Sequence, residues 1–172
     1  MILILRLLVV AVLSLVLLTG CNPNIGVAQS RSEFVKQIKE GGLFRTKEQK
    51  IVKRPYNAVA RDLREYADKC LDVQTVQKPN YQYQMAGGTT KYNPKVQSSG
   101  TVTYLSLQEQ YGKPDNPSNK GTPPGGLIVL VAEVRPAGGG TQVDIYRTAR
   151  GVVADFLFKW AEGDKESCPR LP

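Results

Sequence analysis

Leu127-Ile128-Val129-Leu130-Val131-Ala132-Glu133-Val134-Arg135 is followed by Pro136-Ala137-Gly138-Gly139-Gly140 and then by Thr141-Gln142-Val143-Asp144-Ile145-Tyr146. The first run is apolar on both alternating sets of positions, as in a central strand buried on both faces. The Pro/Gly stretch, Pro136 to Gly140, predicts a flexible turn. In the returning run Val143 and Ile145 point one way, and Gln142, Asp144 and Tyr146 the other. An antiparallel hairpin at the centre of a sheet is the firmest element of this chain.

The flanking segments supply helices and further strands. Pro55 to Leu71 reads as a helix that opens on proline. Val59, Leu63, Tyr66, Ala67 and Cys70 form its apolar stripe, and Arg61–Glu65, Arg64–Asp68 and Glu65–Lys69 are opposite charges four apart on its outer side. A last helix is predicted over Ala149 to Glu162, with Ala149, Val153, Phe156 and Trp160 on one stripe and Gly163 as the stop. Nearer the start, Ser32 to Glu40 fits two helical turns capped by Ser32, with Phe34, Val35 and Ile38 together, ended by Gly41-Gly42. Leu43 to Lys53, rich in Lys and Arg, suits an exposed or edge strand. Tyr81, Tyr83 and Met85 alternate with glutamines as a half-buried strand, Gly87-Gly88 marks a turn, and Thr101 to Gln108 is another strand. Tyr111 to Gly126, dense in Gly, Pro and Asn, is a long loop of the functional kind.

Helices that bracket a run of antiparallel strands pack most simply on one face of the sheet. The expected fold is therefore α+β in two layers. About five or six strands form an antiparallel sheet, a long helix follows the first strand, and the C-terminal helix lies on the same face. In element order, residues 43–163 resemble the helix-grip type found in lipid-binding domains and in an accessory lipoprotein of the outer-membrane β-barrel assembly machine.

The first residues are of a different kind. Arg6 precedes an uncharged apolar run from Leu7 to Leu18, which ends in Leu18-Thr19-Gly20-Cys21. A positive start, a short apolar core and small residues before a cleavage point describe an export signal, and the run is shorter than the roughly 20 residues a spanning helix needs. Leu18-Thr19-Gly20-Cys21 resembles the lipobox of bacterial lipoproteins. That resemblance implies loss of residues 1–20 and a diacylglycerol thioether on Cys21, usually with an added acyl chain such as palmitate. It also implies a membrane anchor without a spanning segment. Asn22 at the following position leans, by analogy with enterobacterial sorting, towards the outer membrane. Residues 21–31 are then a lipidated tether, and 32–172 a single globular domain facing the periplasm.

The compartment bears on charge and cysteines. The chain carries a formal net charge of +8, one positive charge of which is Arg6 in the leader. Export makes anionic lipid headgroups, lipopolysaccharide phosphates or acidic wall polymers more available as partners than nucleic acid, which is not expected; the alternative is that the charge only keeps the domain soluble. Once Cys21 carries lipid, Cys70 and Cys168 remain, an even number in an oxidising space, and are expected to form a disulfide; the alternative is two buried free thiols.

Catalytic chemistry has little to stand on. With no histidine, the commonest general base, the usual Ser-His and Cys-His pairs and most zinc sites are missing. Gly138-Gly139-Gly140 lacks the Lys-Ser/Thr of a phosphate loop. Glu133 and Asp144 form a possible carboxylate pair across the hairpin, but cross-strand polar residues account for them equally well. The chain is read as non-enzymatic, with no cofactor and no metal. Its candidate partner surface is the basic set Arg45, Lys47, Lys50, Lys53 and Arg54, with Arg61 and Arg64 on the next helix. Tyr81, Tyr83, Tyr92, Tyr104 and Tyr111 are candidates for a ligand groove. Two functions are expected from these features: a non-catalytic envelope lipoprotein that serves as a protein-interaction or assembly module, or a carrier or sensor of a small apolar or anionic ligand held between helix and sheet.

Overall fold

The hairpin lies at the heart of a six-stranded antiparallel sheet in a computed structural model, which describes residues 26–41, 45–78, 87–113, 115–148 and 152–171. In chain order the elements are α1 (Arg31–Lys39), β1 (Arg45–Val52), α2 (Tyr56–Leu71), β2 (Gln74–Gln77), β3 (Gly88–Ser99), β4 (Val102–Tyr111), a 3₁₀ turn (Pro117–Asn119), β5 (Leu127–Ala137), β6 (Gly140–Thr148) and α3 (Val152–Glu162). The strands run β1-β6-β5-β4-β3-β2, so consecutive hairpins build the sheet and β1 closes one edge beside β6. The molecule is an α+β fold in which a long helix follows the first strand, as the sequence leads one to expect.

The turn of the central hairpin is tighter than the stretch from Pro136 to Gly140. Pro136 pairs with Thr141 and Ala137 with Gly140, which leaves only Gly138-Gly139 between the strands. Gly140 belongs to the ladder, and the end of β1 leaves no room for a side chain there: a Cβ would lie 2.1 Å from the Val52 carbonyl oxygen.

One face of the sheet presents Leu105, Leu107, Leu130, Ala132, Val134, Val143 and Ile145, all buried. Against it lie Val59, Leu63, Ala67 and Leu71 of α2 and Ala154, Leu157 and Trp160 of α3. The predicted stripe of α2 is the buried one, and its Tyr66 stacks on Trp160 with ring centroids 5.6 Å apart. Cys70 and Cys168 are joined in a disulfide with Cα atoms 5.3 Å apart, which fastens the C-terminal tail to the end of α2. Closing a loop of that length contributes roughly 4–5 kcal/mol in the chain-entropy account.

A buried ion pair ties the two helices together. Arg54 donates to the carbonyls of Trp160 and Ala161 at the end of α3 and to Asp62 Oδ2 of α2 at 2.7 Å. A cation over a helix C-terminus satisfies free carbonyls and complements the dipole. Burial by itself would raise the Asp62 carboxyl, but hydrogen bonds from Arg54 and Arg61 and their positive charges overcome it and hold the carboxyl below the ordinary range. Arg61 thus turns to Asp62 at 3.1 Å rather than to Glu65 four residues on.

Four local expectations need correction. Ser30, not Ser32, caps α1: its Oγ accepts from Glu33 N–H, while the Glu33 carboxylate accepts from the N–H of Gln29, the residue before the cap. Packing accordingly begins inside the expected tether, where Ala28 is buried. Gly88 starts β3 instead of turning the chain, and β2 and β3 are strands that the sequence reading missed. Pro94 disguises β3. Tyr92 N–H points outward to the Val73 carbonyl, so the residue two places on also faces outward. There β2 has ended, and a proline has no neighbour to disappoint. Residues 1–25, with the expected leader and Cys21, and the segment holding Tyr81, Tyr83 and Met85 lie outside the described residues.

Candidate functional site

The second face of the sheet carries the site, and α1 makes it. Phe34, Val35 and Ile38, at helical spacing, pack with Ala28 onto Ile128, Val131 and Tyr146. Period-two alternation explains the division: Val131 pairs with Tyr146 in register, while their neighbours Ala132 and Ile145 face α2 and α3. Three buried apolar side chains, each contributing about 1.5–3 kcal/mol as an upper estimate, hold this short helix in place.

α1 covers only part of that face, and a cavity of about 510 Å³ opens beside it. Its walls include Arg31, Val35, Lys36 and Lys39 from α1, with Tyr104 of β4 and Glu133 of β5 from the sheet. Tyr104 and Glu133 are cross-strand partners, which sets them side by side on the floor. The Arg31 guanidinium lies 3.6 Å above the Tyr104 ring centroid and reaches Gln97 Oε1 at 3.4 Å. Lys36 pairs with Glu40 at 3.7 Å in the open, whereas Lys39 stands over the Tyr146 ring and has no carboxylate partner among the described residues. Glu133 has Arg135 at 3.7 Å and receives no hydrogen bond from any described residue.

Deeper on the same face lies a second, well-partnered acid. Asp144, completely buried, pairs across the hairpin with Glu133 in register. It takes Arg135 at 2.6 Å, Lys47 at 3.7 Å and Gln142 Nε2 at 3.0 and 3.2 Å. A carboxylate held this way by Arg135 and Gln142 serves as a structural anion on this face. Burial, with the charges of Glu133 and Asp144 adding and Arg135 opposing, pushes the Tyr146 phenol up to about 12. Tyr146 therefore stays neutral across the physiological range. Among the described residues no cluster of three or more metal-ligating side chains occurs.

The basic set from β1 and α2 does not converge. Arg45 and Lys47 lie on the α1 face, where Arg45 bonds Gln37, while Lys50 lies on the opposite face and pairs with Glu162. Arg54 is committed to Asp62 and the end of α3, Arg61 to Asp62, and Arg64 to Ser98. Lys53 is exposed. The basic side chains guard an edge strand and bind the fold together more than they form one patch. The tyrosines separate too: Tyr92 is in the core under α2, Tyr104 faces α1, and Tyr111 bonds Glu109.

Arg31, Lys36 and Lys39 were not among the residues that the sequence singled out. A signal existed in the three lysine and arginine residues flanking the stripe of α1 and in the Tyr146 and Val131 pair that needs a cover. No protein-family model matches this chain, and no curated protein matches it. Among solved structures, the crystal structure of protein CV1439 from Chromobacterium violaceum is similar at 8% identity and a TM-score of 0.35. That match covers 70% of this chain and 99% of the other, and a likeness of this size carries nothing about function.

Proposed function

We propose that this chain is a lipid-anchored protein of the bacterial envelope that performs no catalysis and serves as a protein-interaction or assembly module facing the periplasm. The observation that carries the reading is Leu18-Thr19-Gly20-Cys21 at the end of an uncharged apolar run. Two features support it. The Cys70–Cys168 disulfide suits an oxidising compartment, and the acids Asp62 and Asp144 are held by arginines instead of being poised for proton transfer. Labelled palmitate should enter the wild-type protein in its host, and Cys21→Ser should abolish both the label and membrane fractionation. An unlabelled wild-type protein that fractionates like the variant rejects the anchor. Crosslinking in whole envelopes should recover one reproducible protein partner.

A second reading rests on the cavity. A volume of about 510 Å³ with cations at its rim suits a small anionic ligand. In this reading the ligand lies between α1 and the sheet, not under the long helix α2, where side chains fill the space. Native mass spectrometry of the purified domain should then show an adduct that Lys39→Glu removes.

A further inference from the structure

We propose that the cavity beside α1 takes the phosphoethanolamine headgroup of a membrane lipid, an inference that deepens the ligand-binding reading and rests on it. Charge complementarity points to this ligand. Lys36 and Glu40 compensate each other, which leaves Arg31 and Lys39 as the uncompensated cations of the rim. The negative charge of a phosphate diester complements this rim. The floor supplies the opposite need: the half-buried carboxylate of Glu133 receives no hydrogen bond from a described residue. Its one ion contact, Arg135 at 3.7 Å, is spent more closely on Asp144 at 2.6 Å. A primary ammonium offers three donors to that carboxylate, whereas a trimethylated one offers none. Val35 and the Tyr104 ring supply apolar wall for the carbon chain between the two charges.

Position favours a headgroup fixed in a membrane. Arg31 lies only ten positions after Cys21, a span of at most about 35 Å when fully extended. α1 itself is about 13.5 Å long, so an anchor at Cys21 keeps both Arg31 and Lys39 within reach of the bilayer surface.

The test uses the chain from Asn22 onward. The buried core runs from Ala28 to Ala161 and the disulfide ends at Cys168, so this chain holds every described packing contact without its leader. Binding is measured to vesicles of phosphatidylcholine alone, with phosphatidylethanolamine, or with phosphatidylglycerol. The ethanolamine vesicles should bind at least about tenfold more tightly than either other kind. Arg31→Glu with Lys39→Glu should abolish binding, and Glu133→Gln should reduce the ethanolamine value to that of phosphatidylcholine. Lys69→Glu with Lys159→Glu, an equal charge change beside Tyr66 and Phe156 on the other helices, should leave binding intact. If the double reversal at α1 does not fold, Arg31→Gln with Lys39→Gln reads the same loss. Equal binding to all three vesicles, or an equal loss in the control pair, overturns the proposal. Free phosphoethanolamine that saturates the cavity while no vesicle binds overturns the membrane assignment. None of these measurements depends on acylation, so a failure to label Cys21 and a failure to bind vesicles are separate results.

Discussion

Gly126 joins the long loop to β5 at φ +104°, and a Cβ there would lie 2.1 Å from the Glu109 carbonyl oxygen. Both the backbone conformation and the close approach require glycine. Gly126→Ala should therefore lower stability by more than about 2 kcal/mol in urea unfolding. Asp62 offers a test of a different kind. Asp62→Asn leaves the half-buried Arg54 without its counter-charge and should cost about 2 kcal/mol at neutral pH. Because the folded carboxyl is held below its unfolded value, its contribution is complete above about pH 4 and is lost as pH falls through the folded value. The gap between wild type and variant should then narrow on acidification, and a gap constant from pH 7 to pH 2 would show that the arginines do not act through charge. Neither residue stands out in a one-dimensional reading. The Gly125-Gly126 pair resembles any other loop glycines, and Asp62 lies within the charged pattern of α2, where Glu65 is the natural partner for Arg61.

At the scale of elements, the strongly periodic segments were legible and the irregular ones were not. The stripe of α2, the apolar run of β5 and the alternation of β6 stand in the structure where the sequence places them. In each case one period repeats often enough to define a face. β3 escaped notice because Pro94 breaks the pattern, and its outward edge position makes the break harmless. α1 was visible as a helix, but its place on the far face was not, since nothing in nine residues says which side of a sheet will be bare. Its attachment is a separate docking event held by few side chains. Phe34→Ala should cost about 3 kcal/mol. By hydrogen exchange it should deprotect Arg31–Lys39 while α2 and α3 keep their protection. Deprotection of all three helices together would mean that α1 is part of the main cooperative unit.

For the whole molecule, the disulfide and the tail bind the end of the chain to the end of α2. Trp160 Nε1 donates to the Ser167 carbonyl, and Tyr66 donates its hydroxyl to the Lys165 carbonyl. Reduction, or Cys70→Ser with Cys168→Ser, should lower the unfolding free energy by roughly 2–5 kcal/mol and leave the sheet intact by far-ultraviolet circular dichroism. Sequence by itself determined what depends on local order: the apolar run that ends at Cys21, the absence of histidine, the helices with continuous stripes and the central hairpin. These follow from periodicity, residue inventory and short-range spacing, which need no knowledge of the partner surface. Tertiary structure alone decided that α1 covers the second sheet face, that the basic residues of β1 and α2 are divided between the two sides, and that Arg31, Lys39, Tyr104 and Glu133 surround one cavity. Those residues are far apart along the chain. Strand register and helix docking bring them together, and both are fixed by long-range burial that no local stretch of sequence contains.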